Sequence, residues 1–343
     1  MATSRLTLLA LMTTLIFIGS ASSEPLSSLI KKPLRIGAFN IQVFGATKFG
    51  KSEVVERIVR IIKRYDILLV QEIRDSTEKI IKELHLLVNL ELPESERYGL
   101  VVSERLGRTS SKEQYAFFYK NYEGKVEVTD EYVFNDAADD VFEREPYVVR
   151  FRSKVTALTD FAIIGIHIKP SDAINELNNL EIVYEDLLKR YDNKLKDVIF
   201  AGDFNADCSY VGKTKWDKVT FRSDDRFVWL IGDDVDTTVA KSDCAYDRII
   251  IAGEGMAQAY VPGSADVFYF DSAFGLPQDE AVAVSDHYPI EMDLLPKAPQ
   301  CVSKKSVGTF DDLLTEIEEV ERIELLKEMI RGAGTGDEDR MLK

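Results

Sequence analysis

The sequence predicts an α/β fold in which two mixed β-sheets pack face to face between outer helices, a four-layer sandwich. Segments with a strand pattern outnumber amphipathic helices, and the two kinds alternate only in part, which fits two mixed sheets. The chain has 343 residues, of which 45% are hydrophobic and 30% are charged, as in an ordinary globular protein. No internal repeat of fixed period is visible.

The first half of the chain begins with a strand–helix–strand unit. Residues 34–44 alternate apolar and polar side chains like a strand, and 52–64 place apolar residues at helical spacing. Residues 67–72 form a short apolar run that reads as a buried strand ending at Glu72. The later elements are predicted, in chain order, as a helix over 76–90, a hairpin pair at 98–103 and 115–120, strands at 126–134, 148–151 and 162–166, a helix over 172–191, a strand at 198–201, a helix near 214–219, and strands at 247–251 and 290–294.

The stretch 197–207 organises the chain. An apolar run from Val198 to Ala201 predicts a strand buried on both faces, and Gly202 breaks it. Asp203, Asn205 and Asp207 follow within five residues. A plain turn is the alternative, because Gly, Asp and Asn favour turns. Polar groups elsewhere in the chain decide between the two interpretations.

The two ends of the chain differ from its middle. Residues 1–23 contain Arg5, an apolar region and a zone of small residues, which is typical of a secretory signal; the alternative is an uncleaved membrane anchor. The expected mature protein is therefore exported and soluble. Residues 297–343 contain apolar positions on one helical face, from Phe310 to Leu326. This predicted helix could pack on the main domain, pair with a protein partner or touch a surface.

Export permits disulfide bonds, and the chain has three cysteines. Cys208 follows the organising stretch and Cys244 precedes Asp247, so we expect these two to pair beside the site. Cys301 lies in the C-terminal extension and is free or intermolecular.

The formal net charge of −16 excludes a nucleic-acid binder that works by charge alone. It does not exclude a metal-dependent enzyme, because divalent cations offset local carboxylates. Binding to a polyanion would then depend strongly on salt and on divalent ions.

Polar groups recur where the predicted strands end. Of three histidines, His85 lies in an amphipathic helix and is interpreted as structural or surface-exposed, whereas His167 and His287 lie at polar strand ends. Carboxylate and amide oxygens suit a hard cation such as Mg²⁺, and imidazoles suit proton transfer near neutral pH. Together they indicate hydrolysis of a phosphate ester. The strand-end set is Asn40, Glu72, His167, Asp203, Asn205, Asp247, Asp286 and His287.

The order of the motifs adds a resemblance. The chain resembles the deoxyribonuclease I family of the endonuclease/exonuclease/phosphatase superfamily over about residues 34–295. A nuclease domain over residues 24–296 is therefore expected. The matching motifs are FNIQ at 39–42, VQEIRD at 70–75, KEQY at 112–115, REP at 144–146, His167 with PSDA at 170–173, GDFNADCSY at 202–210, CAYDR at 244–248 and SDHYP at 285–289.

The resemblance implies a role for each matched residue. His167 and His287 would form an acid–base pair, oriented by Glu113 and Asp247 respectively. Asp203 and Asn205 would hold the scissile phosphate or the attacking water. The implied ligands of catalytic Mg²⁺ or Mn²⁺ are Glu72, Asn40 and Asp286; the implied structural Ca²⁺ ligands are Asp236 in one loop and Asp136, Asp140 and Glu145 in a second; the implied DNA contacts are Arg74, Arg144 and Tyr210.

The chain departs from the family pattern in places. Ser111 stands where the family often has a tyrosine that packs in the minor groove, which would weaken duplex binding or alter cleavage preference. The stretch 100–104 only partly matches the strand by which some members bind actin, so actin binding does not carry over. The acidic run 135–145 has a solvated loop as its alternative interpretation.

These observations lead to the hypothesis of a secreted, divalent-metal-dependent endonuclease. It would cut double-stranded DNA with little sequence specificity and leave 5′-phosphate and 3′-hydroxyl ends. One alternative is a phosphodiesterase of the same fold acting on a phospholipid or an inositol phosphate. The other is a non-catalytic binding protein.

Overall fold

The computed structural model describes residues 32–239 and 241–298. The predicted signal segment, nearly all of the C-terminal extension with its amphipathic helix, and Cys301 lie outside these residues. Within the described part, no helix is both long and apolar enough to cross a lipid bilayer.

Twelve strands of the described residues form two six-stranded sheets. The strands of the first sheet are β1 (Leu34–Phe44), β2 (Ile67–Ile73), β3 (Tyr98–Val102), β4 (Gln114–Lys120), β11 (Asp266–Val267) and β12 (Ile290–Leu294), in the spatial order β11-β12-β1-β2-β4-β3. The strands of the second are β5 (Val126–Val133), β6 (Tyr147–Ser153), β7 (Asp160–His167), β8 (Val198–Asp203), β9 (Val228–Trp229) and β10 (Asp247–Ala252), in the order β5-β6-β7-β8-β10-β9. Only β1–β2 and β7–β8 pair in parallel, so both sheets are mixed.

Helices lie on the outer faces of the sheets. The α-helices of the described residues are α1 (Ala46–Phe49), α2 (Ser52–Ile62), α3 (Ile80–Asn89), α4 (Ala173–Arg190), α5 (Thr220–Ser223), α6 (Glu254–Ala259), α7 (Phe270–Phe274) and α8 (Gln278–Val284). Short 3₁₀ turns span Glu94–Glu96, Tyr122–Gly124, Pro170–Asp172 and Lys213–Lys218.

The packing forms the predicted four layers. Phe117 of β4 and Phe151 of β6 meet between the sheets, with ring centroids 5.6 Å apart in an edge-to-face arrangement. The apolar face of α2 joins the core cluster of the first sheet. Leu177, Leu180 and Val183 of α4 pack with the outer face of the second sheet. Burial of apolar area on both faces of each sheet holds the sandwich together.

The predicted elements correspond closely to the observed ones. The hairpin of β3 and β4 pairs antiparallel, and β12 has the predicted bounds. The predicted helix over 76–90 starts only at Ile80, because the Asp75 carboxylate accepts the backbone N–H groups of Thr77, Lys79 and Ile80 and holds the preceding turn. The predicted helix near 214–219 was wrong in kind: Lys213–Lys218 is a 3₁₀ segment.

The fold brings one end of the central strands together. In the second sheet His167 of β7 is the register partner of Asp203 of β8, which in turn is the partner of Asp247 of β10. In the first sheet Asn40 of β1 is the register partner of Gln71 of β2. The organising stretch therefore ends in the middle of a row of polar residues and is not a plain turn.

Candidate active site

The first histidine–carboxylate pair, His167 with Glu113, joins the two sheets. His167 Nδ1 lies 2.8 Å from Oε2 of Glu113, which precedes β4 in the other sheet. The hydroxyl of Tyr115 accepts the backbone N–H of His167 at 2.8 Å. Because a carboxylate only accepts hydrogen bonds, Nδ1 carries the proton, and Nε2 is the ring atom left to serve a substrate.

Glu113 itself is held in its ionised form. Burial opposes ionisation, but the hydrogen bond to His167 and the charges of Arg144 and Arg74 outweigh it and lower the pKa of Glu113 to about 2. Arg74 Nη2 lies 2.5 Å and Arg144 Nη1 lies 3.7 Å from Glu113 Oε1. The carboxylate is therefore a fixed anchor for the imidazole.

The second pair repeats the arrangement within the second half of the chain. His287 Nδ1 lies 2.7 Å from Asp247 Oδ2, and both residues are buried. Burial alone would lower the pKa of His287, but the carboxylates of Asp247 and Asp203 raise it to about 10. The negative charge of these carboxylates therefore outweighs burial and favours the charged imidazolium of His287.

Both imidazoles converge on one carboxylate oxygen. Asp203 Oδ2 lies 3.5 Å from Nε2 of His167 and 3.6 Å from Nε2 of His287. The same oxygen accepts a hydrogen bond from Asn40 Nδ2 at 3.1 Å. The predicted gathering of His167, His287, Asp203 and Asn40 at one edge is therefore present in the structure.

Glu72 and Asp286 each contact a member of this centre, Glu72 through Asn40 and Asp286 through His287. Asn40 Nδ2 also donates to Glu72 Oε1 at 3.1 Å, and Glu72 adopts a left-handed φ of 59° at an irregularity in the β2–β4 pairing. Asp286 Oδ1 lies 3.8 Å from His287 Nε2 and is a buried oxygen without a hydrogen-bond partner. Asn40 turns its Nδ2 to Glu72, because its Oδ1 accepts the backbone N–H of Gln42 at 2.9 Å. The unpaired oxygen of Asp286 is the feature here that suits a hard divalent cation.

A second grouping of possible ligands overlaps the histidine pair. Atoms of Asp203, Asp247 and His287 lie within 4.8 Å of one another. The Nδ1 of His287 is already engaged by Asp247, so Nε2 is the ring nitrogen that a cation among these three would use. The carboxylate oxygens of Glu72 are engaged as well, because Oε1 accepts from Asn40 Nδ2 and Oε2 accepts the backbone N–H of Val43 at 2.8 Å. The ligand set of Asn40, Glu72 and Asp286 therefore stays a prediction.

The two predicted DNA-contact arginines flank Glu113. Arg74 also lies 3.5 Å from Glu72 Oε2, and Arg144 Nε donates to the backbone carbonyl of His167 at 3.2 Å. Both guanidinium groups thus hold side chains of the candidate active site in place. Their outer N–H donors suit phosphate oxygens.

Asn205 and Tyr210 follow β8 on the same loop. Asn205 donates from Nδ2 to the carbonyl of Ile168 at 2.9 Å, and its backbone N–H donates to Asp203 Oδ1 at 3.0 Å. The ring of Tyr210 packs on Tyr246, with centroids 5.3 Å apart. Asn205 is buried with the histidines, whereas Tyr210 is only half-buried.

The first of the two predicted calcium loops adjoins the second histidine, because Thr238 forms an isolated bridge with His287 and the Thr237 hydroxyl accepts the backbone N–H of Asp247 at 3.1 Å. Asp236 Oδ1 caps its own loop, accepting the N–H groups of Thr238 at 2.9 Å and Cys244 at 3.2 Å. Asp136, Asp140 and Glu145 line a pocket of about 510 Å³. Glu145 Oε2 is a buried oxygen without a partner, and burial followed by the charge of Asp136 raises the pKa of Glu145. These features fit a bound cation.

The expected disulfide is present. Cys208 and Cys244 are bonded, with Cα atoms 5.9 Å apart. The bond joins the loop after β8 to the segment that leads into β10 at Asp247. It therefore ties together two of the loops that carry site residues.

Comparison with known proteins agrees with this geometry. The sequence profile of the endonuclease/exonuclease/phosphatase family matches residues 37–287. Deoxyribonuclease-1 of Bos taurus is 45% identical over 265 residues, which cover 76% of this chain and 92% of the relative. Deoxyribonuclease gamma of Homo sapiens is 46% identical over 278 residues, covering 80% and 90% respectively.

The chain belongs to the deoxyribonuclease I family. It is accordingly an enzyme of the endonuclease/exonuclease/phosphatase superfamily. Solved structures share the fold at lower identity. The human Nocturnin catalytic domain has a TM-score of 0.51 and 14% identity, covering 78% of this chain and 96% of that one. A TDP2 structure from D. rerio has a TM-score of 0.51 and 13% identity, covering 77% and 99%.

Sequence reasoning missed three supporting residues of this deoxyribonuclease I family site. Tyr115 holds the backbone of His167, as described above. Ser285 Oγ donates to the backbone carbonyl of Asn40 at 2.6 Å and accepts the N–H of His287 at 3.1 Å. Lys48 Nζ donates to the carbonyls of Ile41 and Val284 at 2.9 and 3.0 Å. Their side chains bond to backbone that is distant in sequence, so spacing alone gives no signal for them.

Proposed function

We propose that this protein hydrolyses phosphodiester bonds of double-stranded DNA as a divalent-metal-dependent endonuclease with little sequence specificity. The observation that carries the proposal is the convergence of two carboxylate-oriented imidazoles on Asp203 Oδ2. The names of the relatives, which are deoxyribonucleases, support DNA as the substrate.

The two histidines would divide the proton transfers. In-line hydrolysis needs a base on the side of the attacking water and an acid on the side of the leaving 3′-oxygen. One Nε2 would accept the proton of water and the other would donate to the leaving oxygen, giving a 5′-phosphate and a 3′-hydroxyl. Glu113 and Asp247 would hold the rings and stabilise the charged imidazolium. Asp203 and Asn205 would hold the water or the phosphate between them.

A site formed by Asn40, Glu72 and Asp286 would hold Mg²⁺ or Mn²⁺. When bound there, the cation would offset the charge of the phosphate and polarise it toward attack. The three ligands would come from separate segments of the first sheet. Asn40 belongs to β1, Glu72 belongs to β2, and Asp286 precedes β12.

Arg74, Arg144 and Tyr210 would bind the DNA beside the scissile phosphate. Guanidinium groups make charge-assisted bonds to phosphate, and an aromatic ring packs against sugar or base. The net charge of −16 makes this binding dependent on local cations and on salt. Ser111 lies exposed in the loop before Glu113, and its small side chain would offer little to the minor groove.

We further propose structural Ca²⁺ in the two acidic loops and export of the protein. Export is supported by the signal-like residues 1–23 and by the Cys208–Cys244 disulfide, since such bonds persist in oxidising compartments. That actin binding does not carry over, and that the C-terminal extension binds a protein partner, remain expectations from the sequence.

The decisive experiment compares substrates under one set of conditions. Purified protein is assayed with Mg²⁺ and Ca²⁺ on supercoiled plasmid, on a sphingomyelin vesicle and on a soluble inositol phosphate, each with and without EDTA. We expect nicked plasmid with 5′-phosphate ends, no turnover of the other two, and no nicking in EDTA. Turnover of the lipid or inositol phosphate without nicking would favour the alternative phosphodiesterase, and no turnover of any substrate would favour a binding protein.

A further inference from the structure

Gln71 is a polar residue in the middle of the apolar strand β2, and it is fully buried between the sheets. Its carboxamide makes one hydrogen bond in each direction. Nε2 donates to the carbonyl of Ile166 at 2.5 Å, and Oε1 accepts the backbone N–H of Asp203 at 3.1 Å. Both partners belong to the opposite sheet.

The two backbone groups that Gln71 joins lie at the centre of the site. Ile166 immediately precedes His167 at the end of β7, and Asp203 is the residue on which both imidazoles converge. His167 and Asp203 are direct partners in the parallel pair of β7 and β8. The amide from the first sheet thus bridges these two strands where they present their functional side chains.

The neighbouring backbone is shaped to admit this amide. Gly202 has a φ of +135°, and a Cβ placed there would lie 2.2 Å from the carbonyl of Ile166 and 2.8 Å from Gln71 Nε2. Any larger residue would collide with both groups. The glutamine and the glycine therefore form a matched pair, one filling the space that the other leaves.

Asp203 is consequently held at two points from the first sheet. Gln71 fixes its backbone N–H, and Asn40, the register partner of Gln71 on β1, fixes its carboxylate. We propose that Gln71 is a positioning residue. By bridging the backbones of β7 and β8, it fixes the position of Asp203 relative to His167 and His287. This inference rests on the proposed DNA hydrolysis only for its kinetic test.

The experiment compares Gln71→Leu and Gln71→Glu with Leu180→Ala. Leu removes both hydrogen bonds at similar size, Glu keeps the acceptor for Asp203, and Leu180 is a buried residue of α4 that packs on the outer face of the second sheet. A displacement of about 1 Å in a catalytic group can lower the rate about 100-fold. We therefore expect kcat for plasmid nicking to fall about 100-fold in Gln71→Leu and by a smaller factor in Gln71→Glu. KM should stay nearly unchanged in both variants. Leu180→Ala should lose thermal stability without a comparable fall in kcat.

A second readout needs no substrate. Ring ¹⁵N resonances are recorded for the three histidines at one fixed pH, with His85 as the internal reference, because its Nε2 bonds to Tyr98 in the first sheet. Both His167 and His287 should shift in the Gln71 variants, while His85 stays in place. If wild-type protein failed to cut DNA but these shifts appeared, the proposed function would fall and the positioning role would stand.

Several results would overturn the positioning role. One is unchanged resonances of His167 and His287 in a folded Gln71→Leu protein. Another is a kcat no lower than that of a Leu180→Ala protein of equal melting temperature. Failure of both Gln71 variants to fold would also overturn it, by making the amide a folding element instead.

Discussion

Asn40 and Asp203 lie in different sheets and 163 positions apart, yet their side chains share a hydrogen bond of 3.1 Å. This hydrogen bond connects the two sheets within the candidate active site. Asn40 sits beside the proposed metal ligands, and Asp203 sits between the two imidazoles. The contact therefore links the proposed cation site to the proposed proton-transfer pair.

Glu113 should make stability depend on acid pH. Its pKa is lowered from 4.5 to about 2, so its contribution is fully present above about pH 4.5 and is lost as the pH falls toward 2. At about 1.4 kcal/mol per pKa unit, the contribution is on the order of 3 kcal/mol. Chemical denaturation of wild type and Glu113→Gln from pH 7 to pH 2.5 should show a difference that shrinks steadily with falling pH. A difference that stays constant across this range would contradict the assignment.

Arg74 and Arg144 should affect both binding and turnover. Each guanidinium group forms an ion pair with Glu113. Replacement by alanine would therefore remove a proposed phosphate contact and also weaken the hold of Glu113 on His167. We expect a higher KM, a lower kcat and a salt slope of DNA binding that falls by about 1 for each arginine removed. Arg226→Ala is the matched control, because Arg226 pairs with Asp224 and Glu185 on the surface. An unchanged salt slope in Arg74→Ala and Arg144→Ala would remove these residues from the DNA contact.

Calcium should stabilise the protein through the pocket at Glu145. The buried, unpaired Oε2 of Glu145 and the neighbouring Asp136 make the metal-free pocket electrostatically unfavourable. At a concentration 100 times its dissociation constant, Ca²⁺ should add about 2.7 kcal/mol per site to the free energy of unfolding. Thermal unfolding with and without EGTA should show a smaller calcium effect in Glu145→Gln than in wild type. An equal effect in both proteins would place calcium elsewhere.

The Cys208–Cys244 bond should contribute substantially to stability. It joins positions 36 residues apart, and the loop-closure estimate for that length is about 3–4 kcal/mol. Denaturation of the double variant Cys208→Ser with Cys244→Ser should show a loss of this order. The variant should also lose activity in proportion to its unfolded fraction. A stability equal to wild type would mean that the loops are held without the bond.

The sequence predicted the fold and the strand-end residues because strand ends leave strong local signals, whereas Glu113, Arg74 and Arg144 became candidates only through the family resemblance. Buried runs such as 198–201 fix a strand, and the polar residues after them are readable directly. What it could not predict are contacts made across the sandwich. Gln71 stood in a quoted motif without a role, and its partners are the backbones of Ile166 and Asp203, about a hundred positions away. A backbone N–H or C=O group is the same in nearly every residue, so no sequence pattern predicts which of them a side chain will bond.

Short elements also escaped prediction for a physical reason. Helices α1 and α5 have four residues each, and strands β9 and β11 have two. Such segments show no periodicity and depend on tertiary packing for their stability. The segment predicted as a Trp-containing helix near 214–219 is the 3₁₀ segment Lys213–Lys218, in which Trp216 is partly buried against the cluster under α4.

The most direct test of the account is the cleavage rate of plasmid DNA by His167→Ala, His287→Ala and the double variant at saturating Mg²⁺, with His85→Ala as control. Because the two rings act on one phosphate across Asp203, each single variant should fall by about 10²–10⁴-fold and the double variant should fall little further. His85→Ala should match wild type. Wild-type rates in either single variant, or a double variant whose loss is the full product of the two single losses, would contradict a shared catalytic centre.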